Sequence, residues 1–181
     1  MAASIYLKIY PTDQKGSFFK GNSQVKTHKE WIEIFDLSHS FTQPVSSATR
    51  SSELGPSARC NHEGLEFKKY NDNASDNLIK ACWIGQCLDA QICIYRSLGE
   101  ASPVYKNNKS MMISMKKAYI SDYTIEPTAE DGGTETVKLV YNYIQYAFAE
   151  LDFSKGKLKS ARQSIDWDWT TNEVTEKTPT W

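Results

Sequence analysis

Apolar and polar residues alternate along much of this chain, and that period of two is the mark of a half-buried strand. Ile5, Leu7 and Ile9 alternate with Tyr6 and Lys8. Ile32 and Ile34 flank Glu33 inside the Trp31 to Phe35 run, and Leu65 and Phe67 enclose Glu66, with Lys68 also outward. Leu88, Ala90, Ile92 and Ile94 alternate with Asp89, Gln91 and Cys93. Met111, Ile113 and Met115 alternate with Met112, Ser114 and Lys116, and the pattern runs on toward Ala118 and Ile120. Ile165, Trp167 and Trp169 alternate with Asp166 and Asp168. These segments predict an antiparallel sheet, apolar toward a core and polar toward water.

Two segments depart from simple alternation. NDNASDNLIKACWIGQ predicts a short helix. Ser75 suits its N-cap, because a hydroxyl accepts from the free N–H groups of the first turn, and Asp76 suits the positive end of the dipole. Leu78, Ile79, Ala81 and Cys82 form an apolar stripe at helical spacing, and Gly85 ends the run with a cheap left-handed cap. So short a helix depends on packing against a sheet. In the second segment, Val137, Leu139, Tyr141 and Tyr143 lie on one face, and Val140, Ile144, Tyr146 and Phe148 on the other. A strand apolar on both faces needs cover on both, from the helix or from another subunit.

The connecting segments are polar. Gln43 to Arg59 is mostly Ser, Thr, Ala and Arg, with no pattern that fills a core. Further loops fall at Pro11 to Asn22, Gly99 to Asn108 and Pro127 to Thr134, and Thr170 to Trp181 reads as a loose polar tail.

Composition narrows the function classes. A chain of 181 residues with 40% hydrophobic and 24% charged residues is long enough for one domain with a real core. With 21 basic and 22 acidic residues, the net charge of −1 gives no overall pull toward nucleic acid or anionic membrane. Ile5 to Tyr10 is too short for a secretory leader's apolar core and is interrupted by Lys8, and no run approaches the roughly 20 apolar residues of a membrane span. The expectation is a protein made in the cytoplasm without a cleavable leader. Cys60, Cys82, Cys87 and Cys93 are expected to be free thiols, since that compartment is reducing.

Candidate chemistry is sparse. Cys60-x-His62 lacks a second pair at metal-site spacing, and His28 and His39 stand alone. Neither a G-x-S-x-G elbow nor a phosphate-cradling glycine loop occurs. Glu130-Asp131-Gly132-Gly133 lacks the alternating ligands of a calcium loop and reads as a turn. The tyrosines of residues 141–148 lack the basic groove that base stacking requires. The expectation is no catalysis, no metal and no cofactor. Aromatic residues make up 12% of the chain, which together with the two-faced strand points to self-assembly.

Taken in order, SIYLKI, KGNSQVKTHKEWIEIFDLSHSFTQP, HEGLEFKKYNDNASDNLIKACWIGQ, AQICIYR, ETVKLVYNYIQYAF and SIDWDW closely resemble the Hcp (hemolysin-coregulated protein) family, from about Ser4 to Thr171. Members of that family form the inner tube of the bacterial type VI secretion system. The chain has Lys20-Gly21-Asn22-Ser23 where the family usually has K-G-E-S, and Asp76 where it often has Pro.

The resemblance implies a mainly β fold: a β-barrel of two antiparallel sheets, one flanking helix at about 75–84 and an extended loop at about 43–59. Residues 1–171 would form the tube domain and 172–181 a flexible tail. Six copies would close a ring, and rings would stack into a tube expelled by sheath contraction. The implied partners are the protein itself, the spike, sheath and baseplate proteins, and small effectors carried in the lumen. Nucleic acid and membrane insertion are not implied. The protein would be cytoplasmic before firing and then secreted. Ring stacking would use Gln43, Pro44, Val45, Ser46, Thr49, Arg50, Glu53 and Leu54 of the extended loop. Subunit contacts would use Val140, Ile144, Tyr146 and Phe148, and Ser38 would face the channel. The alternatives are a monomeric ligand-binding β-barrel, or a tail-tube protein of another contractile injection system.

Overall fold

The alternating segments pair with one another in a computed structural model, which describes residues 3–14, 16–46, 55–96, 109–128, 132–152 and 157–177. In chain order the elements are β1 (Ala3–Pro11), β2 (Ile32–Ile34), β3 (Asp36–Ser38), β4 (Phe41–Thr42), β5 (Asn61–His62), β6 (Leu65–Tyr70), α1 (Ser75–Ile84), β7 (Leu88–Arg96), β8 (Lys109–Glu126), β9 (Thr134–Asp152), β10 (Lys157–Asp168) and β11 (Glu173–Lys177). A nine-stranded sheet runs β11-β10-β9-β8-β7-β1-β2, with β6 joined to β9 and β3 to β6. The short β4–β5 pair is a second sheet. Mainly β, with two antiparallel sheets and one helix, is the fold expected from the sequence, although the barrel does not close.

One core gathers the inward residues of β1, β2, β6, β7, β8 and β9. Leu7, Ile9, Ile32, Leu65, Phe67, Leu78, Leu88, Ile92 and Leu139 are fully buried in it. The opposite face of the sheet is polar in one unbroken cross-strand row: Lys8, Gln91, Ser114, Gln145, Asp166 and Thr175. In the next row, Tyr6, Cys93 and Met112 are apolar, and the segment containing His28 and Trp31 folds back to cover them. Gly21 lets that segment cross closely, since a Cβ there would stand 2.6 Å from the Trp31 carbonyl oxygen.

Strand β9 explains its own double pattern. Val137, Leu139 and Tyr141 point into the core, and then Ile144 does, so the inward face changes parity between Tyr141 and Ile144. Strand β8 changes with it between Met115 and Ala118, where Lys117 has φ 49° and the register against β7 shifts. A strand that changes partners, from β6 to β10, needs apolar residues of both parities to serve one core.

Helix α1 packs Ala74, Leu78 and Ala81 on the core and closes on Gly85, whose φ of 60° and ψ of 42° form the left-handed cap. Its start differs from the expectation. The N-cap position is Ala74, with no side-chain cap bond, and Ser75 is the first helical residue. The Ser75 hydroxyl is drawn into a buried charge cluster instead. Lys69 Nζ donates to Glu135 Oε2 at 2.6 Å, Asp72 Oδ1 at 2.8 Å and Ser75 Oγ at 2.9 Å. Glu135 Oε2 also accepts from Ser75 Oγ at 2.9 Å and Tyr123 Oη at 2.7 Å. The expected loose tail is corrected as well: Glu173–Lys177 pairs with Ser164–Asp168 as β11, and residues 178–181 lie outside the described residues.

Candidate functional site: an apolar groove at the base of the arm

The long polar arm leaves the fold at β4 and returns at β5. Its ends pair, although the sequence there carries no core-filling pattern. Phe41 lies opposite His62, Thr42 opposite Asn61, and Val45 bridges Pro56. The amide of Gln43 donates to the Ala58 carbonyl at 2.7 Å, and Ser46 N–H to that of Gly55 at 2.9 Å. Of the expected stacking residues, Gln43, Pro44, Val45 and Ser46 lie in this stem, with Val45 60% exposed. Thr49, Arg50, Glu53 and Leu54 lie outside the described residues.

The stem stands over β9 and β10 and leaves a groove of about 450 Å³ between them. Two cross-strand rows form its floor. Tyr146 pairs with Ile165, and Ile144 with Trp167, which in turn faces Val174 of β11. Phe41, Cys60 and His62 form the stem-side wall. The lining is almost wholly apolar, yet Phe41 is 48%, Phe148 44%, Ile165 47% and Val174 59% exposed. Large apolar side chains this exposed on one connected surface are unusual for a protein that stays alone in water. Among the described residues, the Trp167 indole N–H is buried without a hydrogen-bond partner.

Tyr146 and Phe148 thus meet in this groove with Ile144 beneath them, whereas Val140 faces a separate shallow pocket beside Gly64, Asn142 and Trp169. Ser38 lies apart on β3, exposed, in a polar row with Glu66 and Lys138. Sequence reasoning missed Phe41, Ile165, Trp167 and Val174 as groove residues. The signal for Ile165 and Trp167 was their alternation. Val174 carried none, being one valine in a polar stretch.

Where the stem meets β9, four side chains form a hydrogen-bonded ladder. His39 Nδ1 contacts the Tyr146 hydroxyl, and its Nε2 lies 2.9 Å from both the Tyr141 hydroxyl and the Glu63 carbonyl oxygen. The Tyr141 hydroxyl lies 3.0 Å from His62 Nδ1. Burial lowers the basicity of both imidazoles and raises the pKa of both phenols. The Glu63 carbonyl opposes the effect at His39, and His62 adds to it. On the opposite face, burial, the hydrogen bond to Asp166 and the charges of Asp166 and Asp168 push Tyr143 up to about 12.

Among the described residues no three His, Cys, Asp or Glu side chains stand together as metal ligands. The four cysteines are free, with Cys93 buried. What the site offers is an apolar contact surface framed by hydrogen-bonding rings.

The chain is 26% identical over 173 residues to protein hcp1 of Pseudomonas aeruginosa, covering 93% of this chain and 95% of that one. A solved structure titled as a type six secretion system protein superposes with a TM-score of 0.77 at 19% identity, covering 94% of this chain and 99% of the other. Hcp1 from Salmonella typhimurium gives a TM-score of 0.67 at 19% identity, covering 97% of this chain and all of that one. Residues 6–148 match the family described as "Type VI secretion system effector, Hcp", and the chain belongs to that family.

Proposed function

We propose that this chain is the ring-forming subunit of a type VI inner tube. Six copies pack head to tail, rings stack through the arm, and the assembled tube carries small effectors in its lumen. The observation that carries this reading is the groove. Phe41, Phe148, Ile165 and Val174 keep about half their surface in water on a lone subunit. Covering them with a neighbour gains roughly 25 cal/mol for each Å² of apolar surface removed from water. A head-to-tail contact with six-fold rotation closes a ring, whereas a self-complementary one stops at a dimer. The two-sheet fold and family membership support the same conclusion.

The polar row Ser38–Glu66–Lys138 suits a water-filled channel wall, which supports Ser38 as a lumenal position. The paired stem and the polar sequence of the arm suit a clasp that reaches the next ring. Spike, sheath and baseplate proteins are then the partners in assembly. The subunit works without catalysis, resting in the cytoplasm until contraction drives it out.

Replacing Phe148 with Glu tests the reading. The residue is 44% exposed, so the lone subunit keeps its fold. Negative-stain images of the wild type should show rings, and images of the variant should show none. Rings of equal abundance in both would remove the groove from the interface. A cavity of about 450 Å³ also has the size of a small-molecule site, which favours a second reading as a monomeric binder. That reading predicts that neither protein forms rings.

A further inference from the structure

The ladder of Tyr146, His39, Tyr141 and His62 ties both ends of the arm to one barrel strand. His39 precedes the arm and His62 follows it, while both tyrosines belong to β9. The two imidazoles also pack with the groove's aromatic wall. Phe41 lies 4.4 Å from His39 and 4.8 Å from His62, ring centre to ring centre, and Trp167 lies 5.5 Å from His62.

The proton inventory of the ladder closes with both imidazoles neutral. The Tyr146 hydroxyl donates to His39 Nδ1. His39 Nε2–H is then shared between the Tyr141 oxygen and the Glu63 carbonyl. The Tyr141 hydroxyl donates onward to His62 Nδ1. A second proton on either ring sits at Nδ1, so the facing phenol must turn from donor to acceptor and its displaced O–H loses its partner in the ladder. It also places a positive charge on a ring whose burial disfavours the charged form. Among the described residues, the titratable groups around the two imidazoles are each other, the two phenols and the Cys60 thiol, and Glu63 approaches through its carbonyl oxygen. Asp166 also borders the groove, but its carboxylate accepts the Tyr143 hydroxyl at 3.0 Å on the other face of the sheet. Burial keeps the phenols neutral, so neither supplies the missing anion.

We propose that this ladder is an acid-sensitive latch: protonation of His39 or His62 frees the stem of the arm from β9 and reshapes the wall of the groove. The direction follows from linkage. The latched state disfavours the charged imidazole, and a freed histidine has its ordinary pKa of about 6.5. The open state therefore binds more protons below that pH, and latching weakens as pH falls through it. At neutral pH the latch holds. Each unit of difference in pKa between open and latched states changes the opening equilibrium by up to about tenfold. The effect on assembly rests on the groove being the self-association face; the opening of the stem does not.

Hydrogen–deuterium exchange of the full chain separates the two. After correction for the intrinsic pH dependence of exchange, peptides within residues 39–63 should lose protection about tenfold or more between pH 7.5 and 5.5, as two imidazoles charge. The double variant His39→Gln, His62→Gln takes up no proton there, so its stem should show the same corrected rate at both pH values, whatever that rate is. Protection of wild-type 39–63 that is equal at the two pH values, or a loss equally large in the variant, overturns the latch. Sedimentation of the wild-type samples reads the second consequence: rings present at pH 7.5 should dissociate at 5.5. If no rings form at any pH, the assembly reading fails while the exchange data still decide the latch. Rings whose stem opens without dissociating uncouple the latch from the groove and overturn the assembly half of the proposal.

Discussion

Replacing Lys69 with Met removes the cation at the centre of the buried cluster that joins β6, α1, β8 and β9. Lys69 is fully buried, and its ammonium sits 2.6 Å from Glu135 and 2.8 Å from Asp72. Met keeps the length of the side chain but leaves two carboxylates facing each other out of water. Breaking a buried pair in this one-sided way costs about 3–5 kcal/mol. At about 2.1 cal/mol/K per residue, a 181-residue chain unfolds with an entropy near 0.4 kcal/mol/K, so a loss of about 4 kcal/mol lowers Tm by about 10 °C. Thermal melts followed by circular dichroism give the value, with protomer concentration fixed because self-association makes Tm depend on it. Adding Glu135→Gln should restore several degrees, since the amide still accepts from Ser75 and Tyr123 without the buried charge. A Tm drop below about 3 °C for Lys69→Met would show that the cluster does not anchor the helix.

Other perturbations probe other parts of the fold. Gly21→Ala drives a methyl to 2.6 Å from the Trp31 carbonyl oxygen and should cost about 1–3 kcal/mol in urea denaturation; a loss under about 0.5 kcal/mol would mean that the segment containing His28 and Trp31 relaxes freely. Gly85→Ala, at φ 60°, should cost about 1–2 kcal/mol by the same measurement, and no loss would mean that the helix can end without its left-handed cap. His28 is buried against Tyr6, Trp31 and Tyr95, and burial lowers its pKa, so its contribution is full above about pH 6.5 and declines below it. His28→Gln should therefore flatten the acid side of the stability curve, and an unchanged slope would remove His28 from the linkage. Ser38→Gln should weaken retention of a lumenal effector without altering ring size; unchanged retention would argue that Ser38 faces elsewhere.

Much of the fold was legible because alternation is local. The inward residues Leu7, Ile9, Ile32, Phe67, Ile92 and Ile113 could be read by counting in twos, and all are buried. Gly85 was legible for the same reason, since a left-handed cap needs only its own backbone. Ser75 was misread because its competing partner Glu135 is 60 residues away in sequence and comes near only after β6 and β9 pair. The double pattern of β9 was visible but not its cause, which is a change of facing set by two different neighbouring strands. The groove was half legible: Ile144, Tyr146 and Phe148 belong to the pattern, while Phe41 and Val174 join through a hairpin stem and a final strand with little apolar signal. The histidine ladder had no local signal at all. His39 and His62 are 23 residues apart, and only the closing of the arm's stem sets both beside Tyr141.

The central claim is that the subunit exposes an apolar groove that other copies cover. Sedimentation velocity of the unmodified protein at pH 7.5, across a wide concentration range, tests it directly. Six chains of 20.6 kDa should give a discrete species near 124 kDa, the product of the two. A boundary that stays at 20.6 kDa up to the highest concentration would contradict the account.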